Sequence, residues 1–346
     1  TETRKVSYLA MSSSSSEKKV SSKKRRWESS TASRVAVIGG DGSFTSLAAE
    51  RYFVEKIETT HCHSFDSIFD AIEKDQVEYG VLPIENSDLG TIRSGVDKLI
   101  QREGIHIVGE TYEREKHCLC ALPGVEIEQL EKITSHAVAL EQCSDYLKRI
   151  RSTESGSKIQ LLLSADTTAA CQDIQKNNSK TSAAISSAEA AKKHGLNVLV
   201  KDMTNDMNNE TRFVVVSKTP ISPCLSCNAK TSLVFAFDRD EPGLLFKALS
   251  CFSLRDISVL QLGMRPAARA SHLMNMKPHW EYITYIDIEG TTKEQKVLNA
   301  INHLKELTSA LRVLGSYERG VNRHLEAKKR LKRSGSALLG GSVGGM

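Results

Sequence analysis

The chain has 346 residues, 40% hydrophobic and 26% charged, which is longer than one ordinary compact domain and excludes a fibre. No run approaches the roughly 20 apolar residues of a membrane helix, and no short apolar segment marks a secretion signal, so a soluble intracellular protein with no membrane partner is expected. The net charge is +5, but residues 1–34 and 319–346 each carry +6, leaving −7 between them, so no nucleic-acid partner is expected of the folded part.

Residues 1–33 are Ser-rich and basic around Lys23-Lys24-Arg25-Arg26. They read as a solvated, disordered tail, with an organelle transit remnant or a nuclear signal as the alternatives. The chain begins with Thr1 rather than Met, which leaves its true start open. From Arg34 short β-rich runs alternate with amphipathic stretches, an α/β pattern. Strands are expected at 35–38, 61–65, 79–84, 105–110, 118–122, 132–135, 159–163, 182–185, 197–200 and 212–216. Helices are expected at 47–57, 65–74, 92–102, 140–150, 167–176 and 187–194. These strands make either one large mixed sheet or two lobes.

Pro220 and Pro223 break regular structure, giving a unit at 34–218 and a linker at 219–228. A second unit at 229–319 reads strand 231–237, helix 244–254, strands 257–264 and 281–288, helix 293–307 and strand 310–317. This βαββαβ order specifies a four-stranded antiparallel sheet with two helices on one face, the ferredoxin-like arrangement. Asp240-Glu241-Pro242-Gly243 falls where its first strand turns into its first helix, a start suited to a small molecule. Residues 320–346 form a second basic tail. The eight cysteines read as reduced thiols without disulfides. Cys224-x-x-Cys227 has no second pair, and His61-Cys62-His63 and His117-Cys118-x-Cys120 alternate as half-buried strand residues do, so no metal is expected.

Polar clusters stand at the ends of expected strands, where open α/β sheets place ligands. They are Gly39-Gly40-Asp41-Gly42-Ser43, Glu85-Asn86-Ser87, Ser135-His136 with Gln142, Asp166-Thr167-Thr168, and Asn209-x-Thr211-Arg212-Phe213. The glycine loop lacks the third glycine of a dinucleotide site and the lysine of a P-loop, so it reads as a tight turn. Taken in order, the segments at 39–49, 82–92, 117–124, 134–143, 165–170, 183–199 and 205–213 resemble the successive motifs of prephenate and arogenate dehydratases. Residues 241–249 and Met264-Arg265-Pro266 resemble the two effector motifs of the ACT domain that those enzymes carry.

The resemblance implies two α/β lobes around a cleft, like a periplasmic binding protein, followed by an ACT domain. It implies loss of carbon dioxide and water from prephenate to give phenylpyruvate, or from arogenate to give phenylalanine. The leaving hydroxyl needs a proton or strong donors, and the departing carboxylate brings its own electrons, so no cofactor is expected. Thr211 takes the leaving hydroxyl by resemblance. The strongest motif residues are Glu85-Asn86-Ser87, Ser135-His136 with Gln142-Cys143, and Thr211-Arg212-Phe213; Glu85, the only carboxylic acid among them, is the candidate proton source. Asn86 and Gln142 complete the catalytic set. Ser87, Ser135, Thr167, Thr168, Arg212 and Phe213 are the substrate-binding candidates. Arg212 reads equally as pairing with an acid between lobes, Phe213 as core, and His136 as structural.

Gly243, Leu244, Leu245, Arg265 and Pro266 are the effector-binding candidates, with L-phenylalanine as effector and a homodimer or homotetramer through the ACT domain. Gly263-Met264 replaces the Glu-Ser that usually precedes Arg-Pro, and 267–279 reads as an insertion. A plastid stroma or cytoplasmic location is expected. The alternative of another class is a non-catalytic amino-acid sensor on the same fold.

Overall fold

A computed structural model describes residues 32–221, 223, 228–238, 241–266 and 282–320. The tails at 1–31 and 321–346, Cys224, Cys227, Asp240 and the insertion at 267–279 lie outside the described residues. The chain runs β1 (Ser33–Ile38), α1 (Phe44–Tyr52), β2 (Ile57–Cys62), α2 (Phe65–Glu73), β3 (Tyr79–Asn86), the short β4 (Gly90–Thr91), α3 (Arg93–Gln101) and β5 (His106–Arg114). It continues as β6 (Cys118–Ala121), β7 (Lys132–Ser135), α4 (Ala137–Gln142), α5 (Ser144–Arg151), β8 (Gln160–Leu163), α6 (Thr167–Asn177), β9 (Ser182–Ser186), α7 (Ala188–Lys193), β10 (Asn197–Val200) and β11 (Glu210–Ser217). Last come β12 (Ala229–Ala236), α8 (Leu244–Ser253), β13 (Val259–Pro266), β14 (Tyr282–Glu289), α9 (Gln295–Leu307) and β15 (Ala310–Glu318).

Three sheets result, in the orders β2-β1-β3-β11-β5 with β4 beside β3, β10-β6-β9-β7-β8, and β13-β14-β12-β15. The strands before 218 therefore form two lobes rather than one sheet. β11 enters the first lobe from the second and pairs antiparallel with both β3 and β5. The third sheet is antiparallel throughout, as a βαββαβ order requires.

Two expected elements shift for local reasons. The run at 61–65 splits because Ser64 caps a helix: its hydroxyl accepts the Ser67 amide while the Ser67 hydroxyl accepts the Ser64 amide, so the helix begins at Phe65 and the strand ends at Cys62. α1 begins before the apolar periodicity does, because Ser43 caps it by accepting the Ser46 amide at 3.2 Å.

Each of the first two sheets buries both faces. On the first, Val35, Val37, Val81, Phe213 and Val215 pack beneath α1. Ala36, Leu82, Ile84, Val214 and Val216 pack with α2, α3 and the helix-free face of the third sheet, including Val234, Tyr285 and Tyr317. The third sheet lies close. A Cβ on Gly315 of β15 would sit 2.1 Å from the Ile107 carbonyl oxygen of β5, so this position requires glycine. Arg312 of β15 donates to the carbonyls of Leu99, Ile100, Arg102 and Ile105 at 2.7–3.2 Å, closing the end of α3.

The β3–β11 ladder carries a register shift that decides the site. Phe213 faces Pro83, but Arg212 faces Glu85, so Ile84 is an extra residue on β3. Without it Asn86 would share the face of Leu82 and Ile84. The bulge reverses the alternation, placing Asn86 with Thr211 and Glu85 with Arg212.

Candidate active site

Two crossings join the first sheet to the second, at 115–117 after β5 and at 201–209 before β11. They are laced together. Met203 donates its amide to His117 O at 2.9 Å and Glu115 its amide to Asn209 O at 3.1 Å, and the Thr204 hydroxyl donates to Glu115 O at 3.0 Å. The Glu85-Asn86-Ser87 and Thr211-Arg212-Phe213 motifs therefore end beside one another at the crossings.

Asn86, Asn209 and Thr211 are buried there. Asn86 Nδ2 donates to Asn209 Oδ1 at 2.7 Å and to Thr211 Oγ1 at 2.8 Å, while its Oδ1 accepts the amides of Asp88 and Leu89 at 2.9 and 3.0 Å. Its own loop thus holds the amide and aims it at Thr211. The Thr211 hydroxyl donates onward to Glu115 Oε1 at 2.8 Å. Ser87 is exposed and ties the two motifs: its hydroxyl accepts the Glu210 amide at 3.0 Å and its amide donates to Glu210 O at 2.9 Å.

From the second lobe Gln142, at the end of α4, brings Oε1 to 2.9 Å from His117 Nε2. Burial lowers the His117 pKa below its usual 6.5, against the opposing influence of Glu115 and Gln142, so the ring is neutral at pH 7 and Nε2 is the donor. Phe44 meets His117 edge-on, with centroids 5.2 Å apart. Among the described residues Gln142 Nε2, His117 Nδ1 and Asn209 Nδ2 are buried without a hydrogen-bond partner. Each such orphan costs about 1–3 kcal/mol, so two amide donors and a ring acceptor in one place indicate a site that a ligand completes. A cavity of about 980 Å³ adjoins the crossings, lined by Phe44, Arg51, Glu113, Cys118, Ser187 and Glu210 among others.

Several sequence candidates point elsewhere. Glu85 lies on the far face of the sheet, 3.3 Å from Arg212 Nη1, because the bulge separates it from Thr211. Arg212 also faces away from the cleft: Nε donates to Glu110 at 2.8 Å, and Nη2 to Asp287 at 2.6 Å and to Tyr317 at 3.1 Å. Burial opposes its charge, but Asp287, Tyr317, Tyr285 and Glu110 outweigh this and raise its pKa. Burial likewise opposes the Asp287 charge, and Arg212 and Lys230 overcome it, so that carboxyl stays below its ordinary range. Phe213 is 1% exposed and belongs to the core under α1. Ser135 gives its hydroxyl to Ile185 O at 2.7 Å inside the second sheet.

Thr168 joins the lobes rather than standing open. Its hydroxyl accepts the Gly40 amide at 2.8 Å and donates to Asp166 at 2.5 Å, with Thr167 half-buried beside it at the start of α6. A neighbouring tie runs from the Ser187 hydroxyl to Gly42 O at 2.6 Å. Gly42 has φ +79°, and a Cβ there would meet Ala190 N at 2.5 Å, so the glycine loop serves close approach of the lobes. His136 caps α4 through Nδ1. Glu115 and His117 were not among the sequence candidates for the site. Their signal is position: polar residues in the three-residue gap between β5 and β6, at the crossing.

In the third unit, Gly243 caps α8 with φ 83°, followed by buried Leu244 and half-buried Leu245. Arg265 lies against α3, paired with Asp97 and donating to Arg93 O at 3.4 Å. With Leu89, Thr91, Gln261, Met264 and Tyr285 it lines a cavity of about 360 Å³. Pro266 ends β13 and is exposed. The residues lining that cavity do not include Gly243, Leu244 or Leu245.

The family model for prephenate dehydratase matches residues 35–221, the two lobes and the crossings between them. The chain is 39% identical over 290 residues to arogenate dehydratase/prephenate dehydratase 2, chloroplastic, of Arabidopsis thaliana, covering 82% of this chain and 72% of that protein. Among solved structures it is similar to prephenate dehydratase of Arthrobacter aurescens in complex with L-Phe, with TM-score 0.73 and 25% identity over 83% of this chain and 90% of that one. It is also similar to GqqA, a novel type of quorum quenching acylase, with TM-score 0.72 and 25% identity over 84% and 99%. A matched region that spans more than half the chain, and a relative this similar along most of its own length, lead to one conclusion: the chain belongs to the prephenate dehydratase family.

Proposed function

We propose that this chain is a decarboxylating dehydratase of phenylalanine biosynthesis that converts prephenate to phenylpyruvate, with arogenate, going directly to phenylalanine, as the alternative substrate. The observation that carries the reading is the row Asn86–Thr211–Glu115, buried at Asn86 and Thr211, beside the unpartnered amide nitrogens of Gln142 and Asn209, in a chain of this family. Those amides suit the carboxylate and keto groups of the substrate. The ring carboxylate leaves as carbon dioxide. The electron pair of its C–C bond moves into the ring and expels the ring hydroxyl, which leaves as water once it has taken a proton.

Thr211 is too weak an acid to supply that proton unaided. For this step the hydrogen bond reverses: Glu115, carrying a proton taken from solvent, donates to Thr211 Oγ1 while Thr211 passes its own hydrogen to the leaving oxygen, and the carboxylate left behind is the acceptor that Thr211 meets in the structure. Asn86 holds the Thr211 oxygen in line for the transfer. Glu115 thus replaces Glu85 as the proton source, on the ground that it touches Thr211 on the cleft face. The GqqA likeness adds no second reading, since no observation at the cleft favours acyl transfer.

The third unit is read as an ACT-type regulatory domain with L-phenylalanine as effector, supported by the L-Phe complex of the Arthrobacter relative and by Arg265 at a cavity. A homodimer or homotetramer through this unit is supported by apolar residues exposed on α8 and the edge strand β13, among them Phe246, Leu254 and Met264. A plastid location is supported by the Arabidopsis relative, named chloroplastic; no helix among the described residues is long and apolar enough to cross a membrane.

The test incubates the full chain with prephenate and with arogenate separately, following phenylpyruvate absorbance and phenylalanine formation. At least one product is expected at enzymatic rate; formation of neither defeats the reading and leaves the non-catalytic sensor. Adding L-phenylalanine should change rate or oligomer size, and if both stay constant the effector proposal fails.

A further inference from the structure

On the side of β11 away from the cleft, Arg212 gathers partners from four strands. Glu110 comes from β5, Glu85 from β3, Asp287 from β14 and Tyr317 from β15. Lys230 of β12 closes the cluster, 2.6 Å from Glu110 and 3.4 Å from Asp287. The side chains of Arg212, Glu110, Asp287 and Lys230 are each 5% exposed or less. Ser232 of β12 donates to Asp287 at 2.5 Å and lies 2.7 Å from the Tyr317 hydroxyl. A planar guanidinium engaged at Nε and both terminal nitrogens has its plane and position determined, unlike a point charge.

The residue before Arg212 is Thr211, on the same strand and the opposite face. Between Arg212 and Phe213 the β3–β11 ladder is interrupted by the bulge, so the backbone pairing of β11 is locally weakened on its β3 side. Thr211 Oγ1 must nonetheless stay 2.8 Å from both Asn86 Nδ2 and Glu115 Oε1, a geometry that a shift well under 1 Å would spoil. The β5 ladder runs unshifted past Thr211 and Arg212; across the interrupted β3 side the Arg212 fork adds the side-chain tie, and half of that fork's side-chain partners belong to the third sheet.

We infer that Arg212 is a positioning residue for the dehydration, through which the third sheet holds Thr211 in the cleft. The inference rests on the dehydratase reading and deepens it. The C-terminal unit is thereby a supporting part of the catalytic machinery, and Arg212 links β14 and β15 to the strand that carries Thr211.

The experiment compares the full chain with Asp287→Asn, Tyr317→Phe and their combination, measuring kcat and KM on prephenate and arogenate beside melting temperature. Asp287→Asn is expected to lower kcat about tenfold with KM within about threefold. Tyr317→Phe keeps the packed ring and loses only the hydroxyl; it should lower kcat about threefold with KM unchanged and melting close to wild type. The combined variant should lose less than the product of the two factors, because both changes cut one link. Folded variants with wild-type kcat, or losses confined to KM or melting temperature, overturn the inference. Should Asp287→Asn fail to fold, the kcat of Tyr317→Phe decides. An active wild type with such variants removes this inference alone, whereas a wild type that turns over neither substrate removes the dehydratase reading as well.

Discussion

The two faces of the β3–β11 pair use neighbouring residues for opposite purposes. On the cleft face Asn86, Asn209 and Thr211 are neutral, and Thr211 donates to the carboxylate of Glu115, while buried amide and imidazole nitrogens among the described residues nearby lack partners. On the other face Arg212, Lys230, Glu110 and Asp287 are charged, nearly inaccessible and mutually paired. Buried charges are tolerable only when every partner is present, so a closed cluster marks a joint. Neutral polar groups can be left with spare hydrogen-bond capacity at a cost of a few kcal/mol, so an open cluster marks a site. Both clusters arise from the same two short motifs, Glu85-Asn86-Ser87 and Thr211-Arg212-Phe213.

Four measurements test this contrast. Thr211→Val removes the hydroxyl that links Asn86 to Glu115 and should lower kcat roughly a thousandfold with a modest change in KM; a variant within tenfold of wild type would remove Thr211 from the chemistry. On the opposite face Arg212→Leu leaves Glu110 and Asp287 facing each other with Lys230 alone, and should cost about 3 kcal/mol or more in urea unfolding of the full chain. Glu115→Gln keeps the shape and a hydrogen bond but not the proton, so a kcat loss of roughly a hundredfold with little change in stability is expected. An unchanged rate would return the search for the proton source to another group.

The smallest effect concerns His117. Its folded pKa is depressed by burial, so the unfolded chain takes up the proton first. The stability it contributes is full above pH 6.5 and declines as pH falls from there toward the lower folded value, by at most about 1.4 kcal/mol per pH unit. His106 and His194 are depressed by burial too, so the comparison is with His117→Gln, whose unfolding free energy should fall less steeply over that range. Identical slopes would show that the ring does not resist protonation.

Much of the architecture is legible in the amino-acid order. Period-two runs such as Val35–Ile38 and Lys132–Ser135 and the βαββαβ pattern of the last unit depend on local hydrophobic spacing, and these elements appear where that spacing puts them. Family membership is legible as well, because it rests on several short motifs in a set order. The direction of a side chain from a strand end is different. One extra residue at Ile84 moves Asn86 into the cleft and Glu85 out of it, and nothing in Pro83-Ile84-Glu85-Asn86 announces a bulge whose cause is pairing with β11 more than a hundred residues away. Separations of 96 and 75 residues likewise hide Glu115 from Thr211 and Asp287 from Arg212. The elements, their order and the polar residue types available to the cleft follow from near neighbours along the chain. Only the tertiary structure decided which of those residues meet, because strand register and sheet docking are set by contacts between distant segments.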